Sequence, residues 1–435
     1  MIAPSSSQTA GRVVLAAAAF LIPQRGVSFA VSTSSPTMAS GASTSRIEEY
    51  RGGNKWKGLL PAAQEPRDWD EGFRSFLVRY GMFNHVVYDV FIKGDDDDKD
   101  EKGLRGTSRF KDDLKSFSKK GLEFSYVNKH GVRKQEYDFT EDYQIVGNIV
   151  CSPRSFFSAE DNWFGFVALS NDLKEIVIVF RGTETTKEWV ENATLLMSKL
   201  DGEPKESGWE SLWNRNDLMC HVGFQQLYRQ QTVQGEESPR DTVRRLVEEH
   251  KGKLDKITVV GHSLGGAMAQ VCAIDLVHSG VAGDIPVLGL AWGAPKVGNH
   301  ALAAYVAKQH PKLRILRIRN PLDSVANGNG LSVRCRRNPV PPDWLWTILL
   351  GGYRAMGTEL NLSNAHLHKE GIVKEDAGNS PNHNLEMYLH NIDPTRDVAL
   401  MNKVGDVIPE DYARKHNISP EWHSQTWPRT IYHKK

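Results

Sequence analysis

Cysteine is scarce in this chain: the four residues Cys151, Cys220, Cys272 and Cys335 stand far apart and form no Cys-x-x-Cys pair. That spacing excludes a zinc ribbon and a thioredoxin-like dithiol. Free, mostly buried thiols are the default, with one or two disulfides open to an exported chain. Net charge is equally scarce, with 54 basic against 53 acidic residues, so bulk charge gives no support to a nucleic-acid partner. The densest basic cluster, Arg334-Cys335-Arg336-Arg337, reads as a solvated turn, with contact to a membrane surface as its alternative. Long apolar runs are missing as well. The clearest, 13–22, is shorter than the roughly 18 residues that span a bilayer, so the mature chain is expected to be soluble or peripheral rather than transmembrane.

Acidic residues are absent before Glu48. Arg12 precedes the apolar run 13–22, Ser28-Phe29-Ala30 has the small-x-small form of a signal-peptidase site, and 31–45 is rich in Ser, Thr and Ala. Residues 1–45 therefore read as a targeting leader rather than fold. A signal-like segment followed by a transit-like one resembles the bipartite leaders of algal plastid proteins. That resemblance implies a chloroplast or other plastid; secreted and cytoplasmic locations stay open.

What is present is an ordinary globular composition, 40% hydrophobic and 25% charged, enough to bury a sizeable core without a staple. Within 46–142, Phe76, Leu77, Tyr80, Phe83, Val86, Val87 and Val90 fall at helical spacing and predict an N-terminal helical region. The acidic run 95–102 predicts an exposed loop. From 143 to 422 the pattern changes to short β-branched runs, at 176–180, 257–260, 287–292 and 313–318, alternating with helical stretches at 241–249, 265–279 and 300–309. Such alternation predicts an α/β domain with a central, mostly parallel sheet and helices on both faces. Residues 423–435 form a tail.

The strand at 257–260 runs into Gly261-His262-Ser263-Leu264-Gly265, and a helix follows. A strand-to-helix turn of this kind strains the central serine and crowds the flanking positions, which glycine relieves. It also sets Ser263 at a helix N-terminus, where developing negative charge is favoured. A serine hydroxyl needs a base, and the base needs a carboxylate to orient it. Asp323, after the strand 313–318, is the candidate carboxylate, with a plain turn as its alternative. His383, near the start of a predicted helix, is the candidate base, ahead of His390, His366 and His368. The Leu264 N–H and Thr183, in Phe180-Arg181-Gly182-Thr183 after an earlier strand, are candidate oxyanion donors. The amphipathic stretch 186–196, with Trp189 on its apolar side, reads equally as a lid over an apolar site or as a packed surface helix. The apolar cluster 344–350, from Trp344-Leu345-Trp346 on, reads as core, with a membrane wedge as its alternative. These groups carry acyl transfer without a cofactor or a metal.

Phe180-Arg181-Gly182-Thr183 with Glu188-Trp189, His221-Val222-Gly223-Phe224, the turn at Ser263, Trp292-Gly293-Ala294-Pro295-Lys296-Val297-Gly298, and the segment from His383 to His390 occur in one order that resembles the class 3 lipases. Trp56-Lys57-Gly58-Leu59-Leu60, Arg79-Tyr80-Gly81 and the segment 396–403 are similar to plant-type phospholipase A1 in particular. The resemblance runs over about 50–422 and implies an α/β-hydrolase fold, a triad of Ser263, Asp323 and His383, and oxyanion donors at Thr183 and Leu264. It implies a glycerolipid substrate at a membrane or lipid-droplet surface, most directly sn-1 deacylation of a phospholipid or galactolipid. A neutral-glyceride lipase and a lipase-like interaction protein without catalysis are the alternatives. The segment at Asp323 departs from the family's Asn-x-x-Asp-x-Val-Pro in carrying Ala326 where proline is usual.

Overall fold

The computed structural model describes residues 50–51, 71–92, 143–152, 162–182, 197–201, 216–233, 235–327, 352–362 and 380–392. The leader, the acidic run 95–102, Thr183, the stretch 186–196, Arg334 to Arg337, Trp344 to Trp346, His366, His368 and the tail lie outside the described residues.

Helix α1 (Glu71–Ile92) comes first, then strands β1 (Gln144–Cys151), β2 (Asn162–Ser170), β3 (Glu175–Phe180), β4 (Met197–Lys199) and β5 (Met219–His221). Helices α2 (Val222–Arg229) and α3 (Pro239–His250) lead to β6 (Lys256–His262), α4 (Leu264–His278) and β7 (Val287–Trp292). The chain continues through α5 (His300–Lys308), β8 (Leu313–Arg319), α6 (Ser324–Asn327), β9 (Thr358–Asn361), α7 (Ser380–His383) and α8 (Leu385–Ile392). Seven strands form one sheet in the order β1-β2-β3-β6-β7-β8-β9, while β4 and β5 pair separately. In the large sheet β2 pairs antiparallel with both β1 and β3, and every pairing from β3 onward is parallel.

Alternation along each strand assigns the two faces. On one face Val177, Val179, Val260, Leu288, Leu290 and Trp292 pack with Phe76, Leu77, Phe83, Val86 and Val87 of α1 and with Tyr388 and Leu389 of α8. On the other, Ile176, Ile178, Phe180, Ile257, Val259 and Ile315 pack with α2, α3 and α4. Both faces are covered, so β3, β6 and β7 are buried along their whole length, and apolar residues predominate in each. Each large apolar side chain removed from water in this way contributes about 1.5–3 kcal/mol.

Local signals fix the helix starts. Ser238 accepts a hydrogen bond from the Asp241 N–H, Pro239 opens α3, and Asn299 caps α5 through the Leu302 N–H. His383 stands two residues ahead of α8, near the helix start expected there. It closes the one-turn α7, and Asn384 separates it from α8. Cys151, Cys220 and Cys272 are buried and form no disulfide, and no described helix is long and apolar enough to cross a membrane.

Candidate active site

β6 delivers Ser263 and α4 begins at the next residue, with Ser263 as its N-cap at φ 59° and ψ −125°. Positive φ is strained for a residue with a side chain. The glycines around it show why the turn tolerates nothing larger. A Cβ on Gly261 would be driven into the Gly265 carbonyl, and one on Gly265 into the Phe180 carbonyl. The Ser263 N–H is held by the Trp292 carbonyl at 3.0 Å, and its own carbonyl accepts from Gly266 and Ala267. The strain is thus held by backbone on both sides while the hydroxyl is left free to react.

That hydroxyl lies 2.9 Å from His383 Nε2, and His383 Nδ1 lies 2.8 Å from Asp323 Oδ2. All three are buried, with Asp323 wholly enclosed. An isolated carboxylate in that position would be costly. Here the Tyr388 hydroxyl donates to Oδ2 at 2.8 Å and the Val325 N–H to Oδ1 at 2.9 Å. Burial alone would raise the Asp323 pKa, but His383, Tyr388 and Val325 together hold it below the usual carboxylate value. Tyr388 keeps its proton because burial, and then Asp323, push its pKa well upward. Its oxygen in turn accepts the Asn320 N–H at 2.9 Å, and Asn320 Nδ2 donates to the Asn382 carbonyl at 3.1 Å. The carboxylate loop and the histidine loop are therefore tied together at two points besides the imidazole.

His262, the variable position in the turn, has a definite role in this geometry. Its Nε2 is 2.8 Å from the His383 carbonyl, and the two rings lie 4.9 Å apart. Burial, reinforced by His383, pushes the His262 pKa down to about 3, so it is neutral and donates that bond. Gly293, at φ 54°, lies against the pair: a Cβ there would stand 3.1 Å from Asp323 Oδ2 and 3.3 Å from His383 Nδ1. Sequence reasoning singled out Ser263, Asp323 and His383 but missed His262, Asn320 and the tie through Tyr388. Tyr388 could have been found, since it interrupts the apolar stripe formed by Leu385 and Leu389.

Leu264 opens α4, so its N–H is among the first-turn donors that have no acceptor within the helix. β3 runs beside β6 with Phe180 opposite Gly261, so Arg181 and Gly182 leave the sheet next to the turn. Thr183 itself is outside the described residues, as His390 is with respect to its side chain. Among the described residues, no group of three or more His, Cys, Asp or Glu could hold a metal ion.

Residues 177–331 match the family model described as Lipase (class 3). Over 429 residues the chain is 29% identical to Phospholipase A1-Igamma1, chloroplastic, of Arabidopsis thaliana, covering 86% of this chain and 74% of that protein. It is 26% identical over 422 residues to Phospholipase A1-II 4 of Oryza sativa subsp. japonica, covering 89% of this chain and 93% of that protein. Among solved structures, a Rhizomucor miehei lipase propeptide complex is similar at 21% identity and a TM-score of 0.41, over 71% of this chain and 73% of that one.

Proposed function

The chain belongs to the class 3 lipases, carboxylic ester hydrolases, across residues 177–331, and on that premise we propose that it is a phospholipase A1 acting through an acyl-enzyme on Ser263. The observation that carries this reading is the relay in which Ser263 Oγ, His383 Nε2, His383 Nδ1 and Asp323 Oδ2 follow one another at 2.9 and 2.8 Å. In the forward step His383 takes the Ser263 proton as Oγ attacks the acyl carbonyl carbon. The negative charge then gathers on the carbonyl oxygen, where the Leu264 N–H and the proposed second donor, Thr183, receive it. Collapse expels the glycerol oxygen, which takes the proton back from His383 and leaves the acyl group on Ser263. Water, deprotonated by the same imidazole, releases the fatty acid and restores the serine.

The head group and the sn-1 position are drawn from the plant relatives, which carry the name phospholipase A1. Incubation with phosphatidylcholine, galactolipid and triacylglycerol emulsions, followed by identification of the released lysolipid, tests them. A 2-acyl lysolipid is expected. Release from triacylglycerol alone would make the protein a neutral-glyceride lipase, and release from nothing would make it a non-catalytic relative. We place the protein at a membrane or lipid-droplet surface, in the plastid. Support comes from the leader composition and from relatives named chloroplastic, and a reporter fused behind residues 1–45 tests it.

A further inference from the structure

One group of charges near the site has a single acidic neighbour among the described residues. Lys296 follows β7 in the loop that begins at Gly293, Arg317 and Arg319 end β8, and Arg354 lies just ahead of β9. The strand register sets Arg317 opposite Glu359 and Arg319 opposite Asn361, and Arg354 pairs its backbone with Gly298. Lys296, Arg317 and Arg319 therefore lie toward the C-terminal ends of β7 and β8, and the pairing with Gly298 brings Arg354 in beside them. Glu359 is the one carboxylate among the described residues that faces them.

Glu359 is largely committed. It pairs with Arg317 NH1, whose buried guanidinium also holds the Ala294 and Ala326 carbonyls and leaves Nε without a partner among the described residues. Arg319 stands 3.9 Å from Glu359 and gives its hydrogen bonds to neutral amide oxygens of Asn361 and Asn327. Lys296 and Arg354 take no ion pair or side-chain hydrogen bond among the described residues. Burial, and then the neighbouring Arg317, lower the Lys296 pKa, as expected of an ammonium crowded by like charge. In a chain whose total charge is +1, this is a concentrated local excess. Mutual repulsion of this kind is relieved by an anion, and guanidinium and ammonium groups fit phosphate oxygens.

The cluster borders the proposed active site. Gly293, three residues before Lys296, lies against Asp323 and His383. Arg319 immediately precedes Asn320, which holds Tyr388 and the Asn382 carbonyl. Arg317 grips α6 next to Asp323. Lys296 and Arg319 stand at the same ends of parallel strands that deliver Ser263 and Asp323.

We propose that Lys296, Arg319 and Arg354 form a cationic rim beside the Ser263 site that takes up the phosphate of a glycerophospholipid in the surface on which the enzyme works. The proposal rests on the lipase reading for its purpose but not for its test, because binding can be read without turnover. In a Ser263→Ala background, partitioning onto phosphatidylglycerol vesicles and onto uncharged galactolipid vesicles is measured by co-sedimentation at low and high salt. The Lys296→Gln, Arg354→Gln pair should weaken binding to the anionic vesicles by roughly ten- to thirty-fold and leave galactolipid binding little changed. The charge-keeping pair Lys296→Arg, Arg354→Lys should retain most of it, which separates charge from misfolding. Millimolar inorganic phosphate in competition distinguishes a site that grips free phosphate from one that needs phosphate displayed on a lipid surface. With Ser263 present, the ratio of phospholipid to galactolipid hydrolysis should fall about tenfold in the Gln pair. Equal loss on both vesicle types, or equal binding by the Gln pair and the unaltered chain, overturns the rim. A chain that binds as described yet hydrolyses no lipid refutes the proposed function instead.

Discussion

The central strands carry a buried carboxylate at each end, and the two are put to opposite uses. At the N-terminal end, Glu175 of β3 accepts from Arg51 at 2.7 Å, from Tyr80 at 2.9 Å, from Tyr143 at 2.6 Å and from Thr258 of β6. At the C-terminal end, Asp323 accepts from His383, Tyr388 and Val325. Both carboxylates would be raised by burial, and both are held below their usual values by their partners. The difference lies in what the partners can still do. Around Glu175 the cation is an arginine, permanently charged, and the hydroxyls are spent on the carboxylate. Around Asp323 the partner is an imidazole whose second nitrogen meets a serine in a strained conformation. A satisfied network holds α1 and the segment at Arg51 to the sheet, whereas a network that ends on a serine hydroxyl hydrogen-bonded to an imidazole has a path along which a proton can move.

The comparison is broken most severely at the C-terminal end. Asp323→Asn should lower kcat by about 10⁴-fold, because the imidazole loses the acceptor that fixes its tautomer, while the melting temperature changes little. Glu175→Gln should do the reverse. Removing one partner of a buried pair leaves Arg51 uncompensated and costs about 3–5 kcal/mol of stability, read by denaturant unfolding, with activity per folded molecule retained. Tyr388→Phe probes the overlap between the two behaviours. It deletes one hydrogen bond to a charged group, about 1.5–3 kcal/mol, and should lower kcat roughly tenfold more than it affects KM.

Acid sharpens the comparison with smaller steps. His262 is buried with its pKa pushed down to about 3, against about 6.5 in an unfolded chain. The unfolded state therefore binds the extra proton first, and stability present above about pH 6.5 declines as the pH falls toward 3, by at most about 1.4 kcal/mol per pH unit. Glu175 and Asp323 are depressed, so their contributions are complete above the ordinary carboxylate range and fade only below about pH 4. Unfolding measured across a pH series should show two stages, and His262→Asn should remove the one that begins near pH 6.5. A single stage starting near pH 4 in the unaltered chain would contradict the assignment of His262 as a neutral donor.

The two ends also differ in how far they could be read from sequence. Ser263 was legible because strand, turn and helix are contiguous there and the steric demand falls on adjacent positions. Asp323 and His383 were legible because each follows a strand or precedes an apolar helix in the expected order. His262 was invisible because any side chain satisfies the turn at that position; only the approach of the His383 carbonyl gives it work. The Glu175 network was invisible for a stronger reason. Its members, Arg51, Tyr80, Tyr143, Glu175 and Thr258, lie on five separate segments, and each residue by itself reads as an ordinary surface or amphipathic position. Strand positions were legible from apolar runs, since β3, β6 and β7 are covered on both faces. The one-turn α7 was not, because a break at Asn384 has no signal in local periodicity.

The central claim is that the Ser263 hydroxyl, which ends the Asp323–His383 network, is a nucleophile. Treating the protein with a fluorophosphonate and locating the adduct by peptide mass spectrometry tests it most directly. The account predicts a single phosphonylated residue, Ser263, with labelling slowed at least a hundredfold by Asp323→Asn and unaffected in a folded Glu175→Gln sample. An unlabelled Ser263 in folded protein, or equal labelling with Asp323 replaced, would contradict it.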